Sequence, residues 1–216
     1  MIREQAVNAI LETCRRLYAR NMLAAADGNV SIRLSDQEIL FTPTGKNKGF
    51  ITAKDIATIS LDNKIIEGNP SSERLMHLSV FRACPEAKVV VHAHPPTAIA
   101  WSIAKPELRY LPETGLSELI LALGAVPIIP YARPGTQNMG DVLTPFVSNH
   151  RVMILARHGA LSWGEDWEEA YNGMERLEHT CQILKAAEDL GGLTSLPDDE
   201  VKVLREMRKK MGNRSL

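Results

Sequence analysis

Three cysteines in 216 residues, Cys14, Cys84 and Cys181, are odd in number and far apart, with no C-x-x-C pair. That usage excludes a disulfide framework and a thiolate metal site and suits a reducing compartment. Any metal must therefore rest on histidine and carboxylate. Charge of one sign is lacking too: 25 basic residues against 26 acidic ones leave a formal net charge of -1. No global field draws such a chain to nucleic acid or to a membrane surface, so small solutes are the expected partners. No apolar run approaches the roughly 20 residues of a membrane span, and the amino end, MIREQAVNAILETC, carries charges where a signal peptide needs an apolar stretch. A cytoplasmic protein is expected. Internal repeats and low-complexity tracts are absent as well. With 44% hydrophobic residues the chain can bury one sizeable core, and residues 1–216 read as a single domain.

What is present is an alternation of helical and strand patterns. Val7, Ile10, Leu11, Cys14, Leu17 and Tyr18 recur at helical spacing and predict an amphipathic helix over residues 2 to 20. Val30, Ile32 and Leu34 alternate with polar residues, and Ile39 and Phe41 follow across Ser-Asp, a hairpin pattern. TPTGKNKG reads as a loop, DIATISL and KII as two strands turning at Asp62-Asn63, and EGNPSSE as the entry to a helix carrying Leu75, Leu78 and Phe81. KVVVHAH is the most β-branched strand. Beyond it come a helical LSELILAL, a strand VPII, a loop YARPGT, a helix near DVLTPFVSN and a strand VMILA that runs into Arg157-His158-Gly159. Asp166 and Glu169 start a long helix as a capping-box-like pair, and a short charged helix closes the chain. Several strand pairs are joined by only two to four residues, too few for a parallel crossover. The sheet is expected to be mixed and largely antiparallel, inside a three-layer α/β/α sandwich.

The chemistry concentrates in VVVHAHPP. Residues i and i+2 of a strand share a face, so His92 and His94 can converge on one ion while Ala93 points away. His158 is the best third ligand, since it also lies where an apolar strand gives way to a glycine turn. Three imidazoles on a divalent ion leave a position open, the arrangement of a catalytic rather than a structural zinc site. His77, His150 and His179 read as structural or solvated. Glu73, just after Pro70-Ser71-Ser72, is a carboxylate within reach of such a site, although an acidic residue at a helix start also suits the macrodipole. GNVS, TPTG and NPSSE each combine a turn that exposes backbone N–H groups with hydroxyl or carboxamide side chains, which is anion-binding chemistry and equally the chemistry of turns and caps.

Taken together and in order, GN-V-S, TPTG, PSSE, H-x-H-P and a later HG resemble the class II aldolase/adducin family, most closely its L-fuculose-1-phosphate aldolase branch, from Gly28 to about Leu184. The resemblance implies that His92, His94 and His158 hold zinc, and that Glu73 binds the resting metal and then acts as acid/base. Asn29, Thr44, Gly45, Ser71 and Ser72 fall on its phosphate-binding positions. It also implies a homotetramer with active sites between subunits, and reversible cleavage of a ketose 1-phosphate to dihydroxyacetone phosphate and an aldehyde. Two aromatic positions of that branch are not matched. The last tyrosine is Tyr171, and Tyr110, with Glu113 close by, is only near the first of them. The aldehyde half therefore stays open to 5-deoxyribulose 1-phosphate or 5-methylthioribulose 1-phosphate. Among rivals, L-ribulose-5-phosphate 4-epimerases typically carry Asp where Glu73 stands, adducin-like binding modules lack the three histidines, and a methylthioribulose-phosphate dehydratase would release water instead of breaking the carbon chain.

Overall fold

The computed structural model describes residues 1–212, 214 and 215. Eight strands form one sheet: β1 (Asn29–Ser35), β2 (Glu38–Phe41), β3 (Ala57–Ile59), β4 (Ile65–Glu67), β5 (Val89–Ala93), β6 (Ile128–Ile129), β7 (Val152–Leu155) and β8 (Gly159–Gly164). Their order is β4-β3-β2-β1-β5-β8-β7-β6. β6 and β7 run parallel and every other neighbouring pair runs antiparallel. The short connections dictate this, since β1 turns into β2 through Asp36-Gln37 and β7 into β8 through Ala156, Arg157 and His158.

Helices α1 (Arg3–Ala19), α3 (Pro96–Ala104) and α5 (Trp167–Asp189) cover one face, and α2 (Arg74–Ala83) and α4 (Gln137–Val147) cover the other. Strand β5 shows the division residue by residue. Val89, Val91 and Ala93 join Ile10, Leu17, Trp101 and Leu177 in one core, while Val90 joins Met76, Val80, Leu143 and Trp163 in the second. Burial on both faces explains why this strand is continuously apolar, and each buried valine contributes roughly 1.5 to 3 kcal/mol. The architecture is thus the expected three-layer sandwich around a mixed, largely antiparallel sheet. A last helix, α6 (Asp198–Met211), packs Val201 and Leu204 against Ile120.

LSELILAL is helical as expected over residues 117–123, and its last five residues, Leu119–Leu123, form a wide turn closed when the Gly124 N–H donates to the Leu119 carbonyl. Two elements differ from the sequence reading. Pro95-Pro96 does not merely end β5: Pro96 opens α3, where a missing N–H is tolerated in the first turn. The HG turn is followed by a full strand, β8, whose Leu161 and Trp163 face α2 and α4 while Ala160 faces the opposite core. Glycine, alanine and serine at its other positions hide that alternation.

Candidate active site

His92 is the penultimate residue of β5, on the α2 side, and the His94 N–H donates to the Met22 carbonyl at 2.8 Å one residue beyond the strand. His92 is fully buried, and its Nδ1 donates to the Ala160 carbonyl of β8 at 2.8 Å. That bond fixes the tautomer, so Nε2 presents a lone pair. His94 Nδ1 lies 3.6 Å from Asp27 Oδ2, and with its proton on that side Nε2 is a lone pair as well. The two Nε2 atoms stand 3.2 Å apart. Two ligand nitrogens on one tetrahedral ion at 2.0–2.1 Å are separated by roughly 3.3 Å. His158 enters the same space from the β7–β8 turn, where Arg157 adopts a left-handed conformation (φ 59°) and donates its N–H to Ser102 Oγ at 2.9 Å. The ligand atoms of all three imidazoles lie within 4.8 Å of one another. Gly159 makes this approach possible, because a Cβ there would stand 2.5 Å from the Ala93 oxygen and 2.8 Å from His92 Cε1.

Glu73 occupies the N-cap position of α2 yet its side chain makes no capping bond. Instead its carboxylate turns into the imidazole cluster: Oε2 accepts from Asn29 Nδ2 at 2.8 Å and lies 3.2 Å from His92 Nε2, and Oε1 lies 3.1 Å from His158 Nε2. Burial pushes this carboxyl up, but the His92 and His158 imidazoles more than offset that and hold it well below the usual carboxylate range. Burial alone would lower His92, and the facing Glu73 charge raises it. His94 is pushed down to about 3 by burial and by the neighbouring His92 and His158. Three converging imidazoles beside an ionised carboxylate are the donor set a divalent cation requires. The residues therefore fit a metal ion.

Next to this cluster opens a cavity of about 370 Å³ whose wall includes Asn29, Thr44, Ser71, Ser72, Glu73, His94 and His158. The loops carrying TPTG and NPSSE, 27 residues apart from Thr44 to Ser71 in sequence, are zipped together by a Pro43–Pro70 bridge, by Thr44 N–H to Asn69 O at 3.0 Å and by Ser71 N–H to Thr42 O at 3.1 Å. Ser71 Oγ accepts the Glu73 N–H at 3.3 Å, and Ser72 is exposed toward the cavity. Gly45 sits beside Thr44 but does not itself line the wall. Asn29 is buried at the start of β1, opposite His92, and its amide is engaged with Glu73, a contact the sequence did not suggest. Gly28 presses the DGN turn onto β5: φ is 71°, and a Cβ would stand 2.9 Å from the His92 oxygen.

Tyr110 and Glu113 do not reach this cavity. Tyr110 is half exposed and bridges to Pro127, and Glu113 pairs with Arg205 of α6. His77 is fully buried against Ser31 Oγ at 2.7 Å, His150 donates Nδ1–H to the Ala125 carbonyl, and His179 is exposed. The wall also contains Asp27, Lys48, Pro134 and Gly135, which the sequence reading left out. Lys48 stood inside a loop already read as a turn, and Pro134-Gly135 stood in a loop 90 residues downstream of Thr44 with no local signal linking the two.

Residues 8–184 match the family model described as Class II Aldolase and Adducin N-terminal domain. The chain belongs to this family. It is 32% identical over 173 residues to the 3-oxo-tetronate 4-phosphate decarboxylase of Escherichia coli K12, covering 77% of this chain and 80% of that one. It is 33% identical over 174 residues to an L-fuculose phosphate aldolase of Methanococcus vannielii, covering 80% and 92%. The crystal structure of YgbL from Klebsiella pneumoniae superimposes with a TM-score of 0.87 at 28% identity, over 95% of this chain and all of that one. Class II aldolases are metal-dependent lyases, and the three-histidine cluster gives this chain a site for a divalent ion. Among the described residues, no helix is long and apolar enough to cross a membrane.

Proposed function

We propose that the chain is a zinc-dependent aldolase that cleaves a ketose 1-phosphate reversibly to dihydroxyacetone phosphate and an aldehyde. The observation that carries this reading is Glu73: a carboxylate at a helix start gives up the capping bond and instead joins His92, His94 and His158 at the edge of a hydroxyl-lined cavity. His92, His94, His158 and Glu73 would hold a divalent ion, which would supply Lewis acidity for a reaction that breaks the bond between C3 and C4. Glu73 moves the proton at C3, and Asn29 holds its carboxylate in place through the 2.8 Å bond. Ser71 and Ser72, just before the N-terminal end of α2, and Thr44, from the adjoining loop with Gly45 behind it, take the phosphate. Binding energy at that remote end then goes into orienting the reacting bond.

The relatives add a second leaving group. A 3-oxo-tetronate 4-phosphate losing carbon dioxide leaves the same three-carbon ketone phosphate that an aldolase leaves when it releases an aldehyde. The phosphate pocket and the electron sink are common to both reactions, and the electrophile differs. Four 3-oxo-tetronate 4-phosphate decarboxylases at 29 to 32% identity favour this second reading. Metal-loaded protein assayed against a panel of ketose 1-phosphates and 3-oxo-tetronate 4-phosphate, with dihydroxyacetone phosphate and carbon dioxide both measured, separates the two. A panel that includes 5-deoxyribulose and 5-methylthioribulose 1-phosphates and yields no carbon–carbon cleavage from any member would overturn the proposal. Epimerisation of a ketose 5-phosphate without release of fragments would replace it.

Residues 1–216 act as one domain in this reading, in the cytoplasm, where the buried free thiols of Cys14, Cys84 and Cys181 stay reduced. Homotetramer assembly would place Tyr110 and Glu113, remote from the cavity of their own chain, at a subunit boundary. Light scattering on the purified protein tests that assembly.

A further inference from the structure

Lys48 is the unexplained cation of the cavity. It opens a one-turn 3-10 helix, Lys48–Phe50, and is only 2% exposed, among the largest fully buried side chains of the protein. A lysine that deep is ordinarily paired with a carboxylate. Among the described residues none lies within ion-pair distance of Lys48. Its Nζ instead donates to two backbone carbonyls, Ala26 at 2.6 Å and Lys46 at 2.8 Å. An ammonium carries three N–H donors, so one is left over. Lys48 is also the one Lys or Arg among the described residues of the cavity wall, whose other formal charges are the carboxylates of Asp27 and Glu73.

On the reading above, a divalent ion at the histidines offsets the Asp27 and Glu73 carboxylates of the wall, and the guest of this cavity brings a phosphate dianion that has no counter-charge left among them. Hydroxyl and backbone donors align a phosphate but add no net charge to offset it. We propose that Lys48 is the charge-bearing ligand of the substrate's phosphate, held in place by the Ala26 and Lys46 carbonyls and spending its third N–H on a phosphoryl oxygen. The Ala26 carbonyl directly precedes the DGN turn and the Lys46 carbonyl follows TPTG, so the same side chain ties those two segments together. Burial lowers the proton affinity of Lys48 while Asp27 and Glu73 raise it, and an incoming dianion acts with those carboxylates to keep the ammonium charged.

The test separates an anion ligand from a strut. Inorganic phosphate is titrated calorimetrically into zinc-loaded wild type, Lys48→Met and Lys48→Arg, with melting temperatures on the same samples. The proposal expects Lys48→Met to weaken phosphate binding at least tenfold and to raise KM for a phosphorylated substrate more than it lowers kcat. Lys48→Arg, which keeps the charge, should stay within a few-fold of wild type. Unchanged phosphate affinity in a folded Lys48→Met protein overturns the assignment and leaves the aldolase reading standing. Wild-type protein that binds no phosphate at millimolar concentration overturns both. Should Lys48→Met not fold, wild type labelled with 15N-lysine decides: a phosphate-dependent shift of the Lys48 Nζ resonance supports the proposal, and its absence overturns it.

Discussion

Glu73 is the residue on which structural and chemical roles compete most directly. Its sequence position, behind Pro70-Ser71-Ser72 at a helix start, suits a dipole-stabilising carboxylate, and the structure shows a side chain with no cap bond that faces His92 and His158 instead. Glu73→Gln keeps volume and an oxygen ligand while removing the charge and the proton carrier. Zinc content, measured by metal analysis, should stay near wild type, whereas turnover and C3 proton exchange of dihydroxyacetone phosphate should fall by about 10² to 10⁴. Normal exchange with lowered stability would return Glu73 to a helix-start role. His77 carries a different prediction. Burial pushes its imidazole down to about 3, so the folded protein refuses a proton that the unfolded chain takes up near its ordinary value of 6.5. Stability from this group is complete above pH 6.5 and declines as pH falls toward 3, with a slope approaching about 1.4 kcal/mol per pH unit. Denaturation of the metal-loaded protein between pH 7 and 4.5 should show a shallower acid loss in His77→Gln, and an unchanged slope would contradict the assignment.

At the scale of elements, legibility followed how local the signal was. Helix α1, the β1–β2 hairpin, α2, β5 and α5 announce themselves by their own periodicity, and the three histidines stand at the ends of apolar segments that any strand reading would find. β8 and α3 do not, because the first is built from small residues packed on two cores and the second opens with two prolines that look like a stop. Lys48, the Pro134-Gly135 loop and the bond from Asn29 to Glu73 acquire their places only from tertiary contacts. Helix α3 shows the cost of such an opening. Pro95 cannot cap it, and the orphaned N–H groups of Thr97 and Ala98 instead donate to the buried carboxylate of Glu178 on α5, at 3.0 to 3.1 Å. Removing that acceptor strands buried donors, so Glu178→Ala should cost about 3 kcal/mol and Glu178→Gln, which keeps one oxygen, roughly half as much. Chemical denaturation reads both, and equal small losses would show that water replaces the carboxylate.

For the molecule as a whole the question is whether the metal is part of the fold or a guest of it. His92 belongs to a strand paired on both sides, with β1 and with β8, and His158 to the turn that joins β7 to β8, so both positions are set by ladders that need no ion. The two cores on either side of the sheet are built from apolar side chains, and none of the three histidines is among their members. Small zinc-nucleated folds behave differently, since their metal-binding free energy is their folding free energy. Here chelation should abolish lyase turnover while leaving the circular dichroism of the apo protein native. The melting temperature should rise again with added zinc in the concentration-dependent way that ligand linkage requires, about 2.7 kcal/mol at a free concentration one hundred times the dissociation constant. Three imidazoles on one side of the ion leave directions open for substrate, so turnover should return with the metal. His92→Ala should retain the fold and lose both the zinc-dependent rise in melting temperature and the recovery of turnover. If chelation instead melts the sheet, the metal is structural and the open-site mechanism fails with it. If turnover survives strong chelator and the purified protein holds no metal, the histidine cluster has another use.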